Sequence, residues 1–146
     1  MAGRSILTIA IEAPPDEVMA VIADMETYPE WVPEYKKVEV LRADSAGRIT
    51  RARMVVEAAI IKGPHVLEFL WAPNGKELSW TLTQSNTVRS LVGRYTLIPK
   101  DYGTEVSYQL TIDLRVSVPG IIKRRAERAV IDTALKALKA RVESLG

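Results

Sequence analysis

The sequence predicts an α+β domain in which a curved antiparallel sheet of about seven strands faces one long C-terminal helix. Three observations carry this prediction. Six alternating apolar–polar segments follow one another between residues 37 and 116, separated by short turns, which is the pattern of a meander. A separate period-2 segment, Ile-Leu-Thr-Ile-Ala-Ile at residues 6–11, lies near the N-terminus. Residues 121–145 contain neither proline nor glycine and are rich in Ala, Leu, Lys, Arg and Glu, all good helix formers.

The elements follow in order. The first strand stops at Pro14 and Pro15. A proline in the first turn of a helix costs no hydrogen bond, and Asp16 and Glu17 suit the positive end of a helix dipole. Val18, Val21 and Ile22 then form one face of a first helix ending near Ala23 or Asp24. Residues 26–32 make a second helical turn, kept short by Pro29 and Pro33, with Asp24 and Glu26 as caps or turn residues. The meander strands are expected at 37–41, 49–60, 66–71, 77–83, 88–98 and 104–116. Turns are expected at 44–47, at Lys62-Gly63-Pro64, at Pro73-Asn74-Gly75-Lys76, at Ser85-Asn86 and at 100–103. Pro119 and Gly120 end the sheet. A final helix of about 25 residues spans roughly 37 Å, and its apolar stripe can only be covered by the sheet.

Composition bounds the function. Apolar residues make up 47% of the chain and charged residues 26%, with a formal net charge of +2. These values describe a globular protein rather than a disordered one, and they lack the dense basic face of a nucleic-acid binder. With no cysteine, disulfides, thiolate chemistry and most zinc sites drop out, and a reducing cytoplasm fits. No secretory apolar region is expected at the N-terminus, and no stretch approaches the roughly 18 apolar residues that cross a bilayer. Residues 1–146 are expected to form one domain, with no cofactor and no metal.

Two sets of residues carry a family resemblance. The opening run Ala13-Pro14-Pro15-Asp16-Glu17-Val18, Ile22-Ala23-Asp24 and Tyr28-Pro29-Glu30-Trp31-Val32-Pro33 is one. Gly93-Arg94-Tyr95-Thr96-Leu97, Gly103-Thr104-Glu105-Val106 and Pro119 are the other. Together they resemble the START-like helix-grip (SRPBCC) superfamily, in its polyketide cyclase/dehydrase and coenzyme Q-binding branch. The resemblance spans nearly the whole chain. It implies a helix-grip fold with an apolar cavity between sheet and helix. It says less about activity, because one fold hosts binders, carriers and enzymes.

Alternation assigns the faces of that expected cavity. Met54 and Val56, then Phe69 and Trp71, then Leu78, Trp80 and Leu82 are expected to point inward. So are Gly93 and Tyr95, and Tyr108 and Leu110 on the last strand. From the helix, Ile122, Ala126, Val130 and Ala134 face them, with Ala137 and Leu138 alongside. Small helix residues against a bent sheet leave room for a ligand, in a pocket of about 300–1,000 Å³. The alternative is that Trp, Tyr and Phe side chains fill the space.

The polar residues divide similarly. The hydroxyls of Tyr95 and Tyr108 are candidates to bond a ligand carbonyl or to act as weak acids, or else are core tyrosines bonded to backbone or water. Arg94 is a third catalytic candidate, although alternation points it outward. His65, the only histidine, is expected to be a solvated turn residue. Lys123, Arg124, Arg125 and Arg128 form a basic cluster at the start of the final helix. It either pairs with Glu127 and nearby carboxylates or makes weak peripheral contact with an anionic membrane. The apolar run 58–61 is left open between the last helix, a dimer patch and the cavity mouth.

Three functions follow. The first is binding, carriage or sequestration of an apolar small molecule such as a lipid, quinone or polyketide-like compound. The second is an aromatase/cyclase-type enzyme acting on a polyketide-like substrate. The third is an interaction or stress-related protein without a small-molecule ligand.

Overall fold

The computed structural model describes residues 4–58 and 61–146. Strand β1 (Ser5–Ile11) leads into helix α1 (Pro15–Ala23), a 3₁₀ turn (Met25–Thr27) and the single turn α2 (Tyr28–Trp31). Six strands follow: β2 (Tyr35–Ala43), β3 (Ile49–Ala58), β4 (Ile61–Trp71), β5 (Glu77–Ser85), β6 (Val88–Lys100) and β7 (Gly103–Leu114). Helix α3 (Gly120–Leu145) completes the chain. All strand pairs are antiparallel, in the order β1-β7-β6-β5-β4-β3-β2. The sheet is curved and unclosed and grips α3, so the expected helix-grip architecture is the one observed.

The N-terminal signals work as read. Pro15 occupies the first turn of α1, and the amides of Glu17 and Val18 bond the Pro14 carbonyl. Val18, Met19, Val21 and Ile22 are buried. The Tyr28 hydroxyl donates to the Ile22 carbonyl, which ties α2 back onto α1. On β7, burial alternates without a break from Thr104 through Val106, Tyr108, Leu110 and Ile112 to Leu114.

One turn lies elsewhere than predicted. Lys62, Gly63 and Pro64 belong to β4, paired with Glu57, Val56 and Val55 of β3, and the ladder runs on to Ala58 opposite Ile61. Gly63 has φ 91°, a left-handed value glycine adopts without steric cost. A glycine in this conformation beside a proline imitates a turn, yet the ladder passes through it. Of the apolar run 58–61, Ala58 and Ile61 are buried; Ala59 and Ile60, like the N-terminal Met1, Ala2 and Gly3, lie outside the described residues.

Helix α3 packs mainly on β1 and β7, and its buried stripe is Ala126, Glu127, Ile131, Leu135, Leu138 and Val142. Compared with the predicted stripe, this one is turned by about one residue, or roughly 100°. Ile122 is therefore 46% exposed rather than facing the sheet. Val130 and Ala134 fall on the flank of the helix.

Glu127 is the main surprise of the helix. It is fully buried and does not pair with the basic cluster. Its carboxylate accepts the Ser5 hydroxyl at 2.8 Å and the Ile112 amide at 2.7 Å. Ile112 lies two residues past Leu110, the partner of Ser5. The carboxylate thus serves a β7 amide where the described β1 ladder ends. A buried charge is tolerated only with such partners. Lys123, Arg124, Arg125 and Arg128 have no carboxylate within ion-pair distance among the described residues.

Candidate ligand-binding hollow

Because α3 covers the β1–β7 side, the concave face of β3, β4 and β5 is covered differently. Among the described residues it meets the flank of α3, at Val130 and Ala134, and the segment from Tyr28 to Tyr35. Two adjoining hollows remain. The larger leaves about 60 Å³ open to the centre of a water molecule and lies among Met54, Val56, His65, Tyr108, Leu110 and Val130. The smaller leaves about 30 Å³, among Tyr28, Trp31, Phe69, Leu78 and Tyr95. Trp80, Tyr35, Val32, Leu67 and Ala134 border both, as do Met54 and Tyr108. These volumes fall well below the several hundred Å³ expected from the sequence. The protein's own aromatic rings occupy much of the space.

Cross-strand register explains the aromatic wall. Phe69 lies opposite Trp80, Trp80 opposite Gly93, Leu78 opposite Tyr95, and Tyr95 opposite Tyr108. Cross-strand partners share a face, so these rings converge. Trp80 packs against Tyr95 and Tyr108 with ring centres 5.3 and 5.5 Å apart, and Tyr95 meets Tyr108 edge-on at 4.7 Å. Gly93 supplies the space for Trp80, because a Cβ there would fall within the indole.

Burial, with smaller contributions from neighbouring ionisable groups, pushes the hydroxyls of Tyr28, Tyr95 and Tyr108 well above the ordinary phenol range. Burial, helped by the Glu34 carboxylate, raises Tyr35 to about 12. All four are neutral donors at physiological pH. Among the described residues, the hydroxyls of Tyr35, Tyr95 and Tyr108 make no hydrogen bond to protein, unlike that of Tyr28.

His65 is not a solvated turn residue. It sits opposite Met54, is 3% exposed and borders the larger hollow. Its Nδ1 lies 2.9 Å from the Pro64 carbonyl, while Nε2 is buried without a partner. Burial lowers its pKa, and the bond to Pro64 partly offsets this. A period-2 reading of Leu67, Phe69 and Trp71, extended back two residues, places His65 inward; the Gly63-Pro64 pair obscured it.

The remaining expected residues lie apart from the hollow. Trp71 is partly buried, and its indole N–H donates to the Ile49 carbonyl at 2.8 Å, which holds the ring near the strand end. Leu82 packs against the core without bordering the hollow. Ala126 is buried under the helix, and Ile122 faces solvent. Arg94 lies on the outer face, 3.6 Å from Glu77, with half its side chain exposed. Tyr28, Trp31, Val32, Glu34 and Tyr35 had not been anticipated. Their signal is three aromatics, Tyr28, Trp31 and Tyr35, crowded around a proline-bounded turn that must close over something.

Residues 6–143 match the family model described as polyketide cyclase / dehydrase and lipid transport. The chain belongs to this family. No curated protein matches it. Among solved structures, this polyketide cyclase/dehydrase-family chain is similar to a START superfamily protein from Mycobacterium smegmatis, with 23% identity and a TM-score of 0.91 over 98% of this chain and 99% of that one. It is also similar to the Zhui aromatase/cyclase from Streptomyces sp. R1128, with 18% identity and a TM-score of 0.81 over 98% and 94% of the two chains. A protein from Thermus thermophilus aligns over 99% of each chain at 23% identity and a TM-score of 0.82. At these identities the likeness shows the fold. No helix among the described residues is long and apolar enough to cross a membrane.

Proposed function

We propose that this protein binds and carries an apolar small molecule in the hollow between β3–β5 and the flank of α3. The observation that supports this most directly is an apolar space bordered by rings and by the small side chain of Ala134, in a family described by both polyketide chemistry and lipid transport. At about 60 and 30 Å³, the space as it stands is smaller than the roughly 150 Å³ apolar cavity that holds benzene, so even a single-ring ligand displaces a lining side chain. A lipid, quinone or polyketide-like ligand requires Trp80 and the tyrosines to swing aside. The cysteine-free composition fits action in the cytoplasm.

Native mass spectrometry of protein purified from its own host tests this reading. A retained hydrophobic molecule, lost in an Ala134→Phe variant that still folds, is the expected result. Protein that is empty, and that takes up no apolar probe in either form, overturns it.

A second reading, cyclase-type catalysis, is favoured by the unpaired hydroxyls of Tyr35, Tyr95 and Tyr108. Neutral phenols can donate to the developing oxyanion of a folded polyketone held in place. Turnover of a polyketone that falls sharply in Tyr95→Phe supports it, and unchanged turnover removes Tyr95 from any role. Separately, the cations Lys123, Arg124, Arg125 and Arg128 border the exposed Ile121 and Ile122, a face suited to weak contact with anionic lipid. Co-sedimentation with anionic vesicles that falls with added salt is the expected sign.

A further inference from the structure

The larger hollow is not uniformly apolar. Two polar atoms on its border, His65 Nε2 and Glu34 Oε1, are buried with no hydrogen-bond partner. Buried polar groups are satisfied in the great majority of cases, and an unsatisfied one costs the full loss of its hydration. Two such atoms bordering one space, one from the turn before β2 and one from β4, are a feature of that space.

Both atoms are acceptors. The Pro64 carbonyl can only accept, so the His65 Nδ1 carries the proton in their 2.9 Å bond. The neutral ring then presents a bare lone pair at Nε2, and burial keeps it neutral by disfavouring the cation. Pairing of His65 with Met54 holds the ring on the concave face. A carboxylate oxygen likewise accepts only. Residue 34 is fixed beside the hollow by its carbonyl, which accepts the Glu57 amide at 2.8 Å. A ligand that met these atoms with a carbonyl, an ether or a carboxylate would leave both unsatisfied and would add repulsion at Glu34.

We propose that Glu34 and His65 form a polar subsite for a hydrogen-bond-donating head, a phenolic or alcoholic hydroxyl on an apolar body. This deepens the binding reading above and rests on it. The apolar body lies against Trp80, Met54 and Ala134. The hydroxyl donates its single proton to His65 Nε2, and Glu34 Oε1 takes a second donor, a further hydroxyl of the ligand or a water. The subsite selects alcohols and phenols over their ethers and over carbonyl compounds of the same shape.

Three single-ring probes test this with the full chain: 4-propylphenol, 4-propylanisole and propylbenzene. Their affinities are measured by NMR titration of the ¹⁵N-labelled protein. Its one histidine gives a single pair of ring nitrogen signals. The phenol is expected to bind about tenfold more tightly than either comparator, the size of one good hydrogen bond to a buried acceptor. It is also expected to move the Nε2 signal, which the anisole and propylbenzene leave in place. In His65→Leu the phenol's advantage shrinks toward unity, whereas in Glu34→Leu, where Nε2 still accepts the hydroxyl, it falls less.

Equal binding of all three probes, with the Nε2 signal unmoved, overturns the subsite and leaves the cavity reading standing. A phenol preference that survives in both variants, again with Nε2 unmoved, assigns the hydroxyl to the tyrosines and also overturns it. If no probe binds, the subsite falls. The cavity reading then falls with it only if protein from the host is also empty. The Nε2 shift is read in the wild-type protein, so the test holds even where a variant fails to fold.

Discussion

The Trp80 indole fills the space a side chain at position 93 would need, so the cross-strand pair Trp80–Gly93 works as a single unit. Gly93→Ala must displace the ring, which is held between Phe69, Tyr95 and Tyr108. Overpacking of this kind costs about 1–3 kcal/mol. Chemical denaturation should show that loss, and tryptophan emission should shift because the indole has moved. An unchanged midpoint would mean that the ring has room the structure does not show.

Glu127 joins the two ends of the chain. Its carboxylate holds both Ser5 and the Ile112 amide, so Glu127→Ala leaves a buried hydroxyl and a buried amide without partners. We expect a loss of about 1–3 kcal/mol or more. Hydrogen exchange should accelerate at Ile112 ahead of the inner amides of β7. Glu127→Gln keeps one accepting oxygen and should lose less.

Acid should weaken the fold in part through His65. Burial disfavours its cation, so the folded chain takes up this proton less readily than the unfolded chain, whose histidine titrates near about 6.5. Above that pH the imidazole is neutral in both states and adds no pH dependence. As pH falls below it, the unfolded state is protonated first, and stability declines until the lower folded pKa is passed. Urea unfolding at pH 7.5 and pH 5.5 should show a decline that is smaller in His65→Gln. Carboxylates contribute to the slope in both proteins, so the difference between them is the measure.

Tyr28→Phe should cost about 1 kcal/mol, because the Ile22 carbonyl loses the donor that links α1 to α2. The ring's contacts with Trp31 and Tyr35 survive the change. The effect should therefore appear as a lower denaturation midpoint with an unaltered far-ultraviolet spectrum.

The legible parts of this fold were those governed by local periodicity. The alternation of β7 and the proline entry to α1 acted as the sequence suggested, since each depends on neighbouring residues alone. The hidden parts depended on distant ones. The rotation of α3 follows from Glu127 reaching Ser5 and Ile112, and a charged residue at a helix position reads as solvent-facing. His65 was obscured because Gly63-Pro64 resembles a turn until the pairing with Val55 and Val56 is seen. The size of the hollow was not legible either. Alternation shows which rings face inward, but their packing decides how much space they leave.

The strand order has a consequence for how the chain is made. Among the described residues, every neighbouring pair in the sheet except β1–β7 is consecutive in sequence, and β1 pairs with a strand about a hundred residues downstream. During vectorial synthesis the first strand must wait, apolar and unpaired, until the last strand and the gripping helix have left the ribosome. The meander can zip up hairpin by hairpin in the meantime, so seating of the N-terminal strand is the step most exposed to a slow refolding phase or to capture by a chaperone.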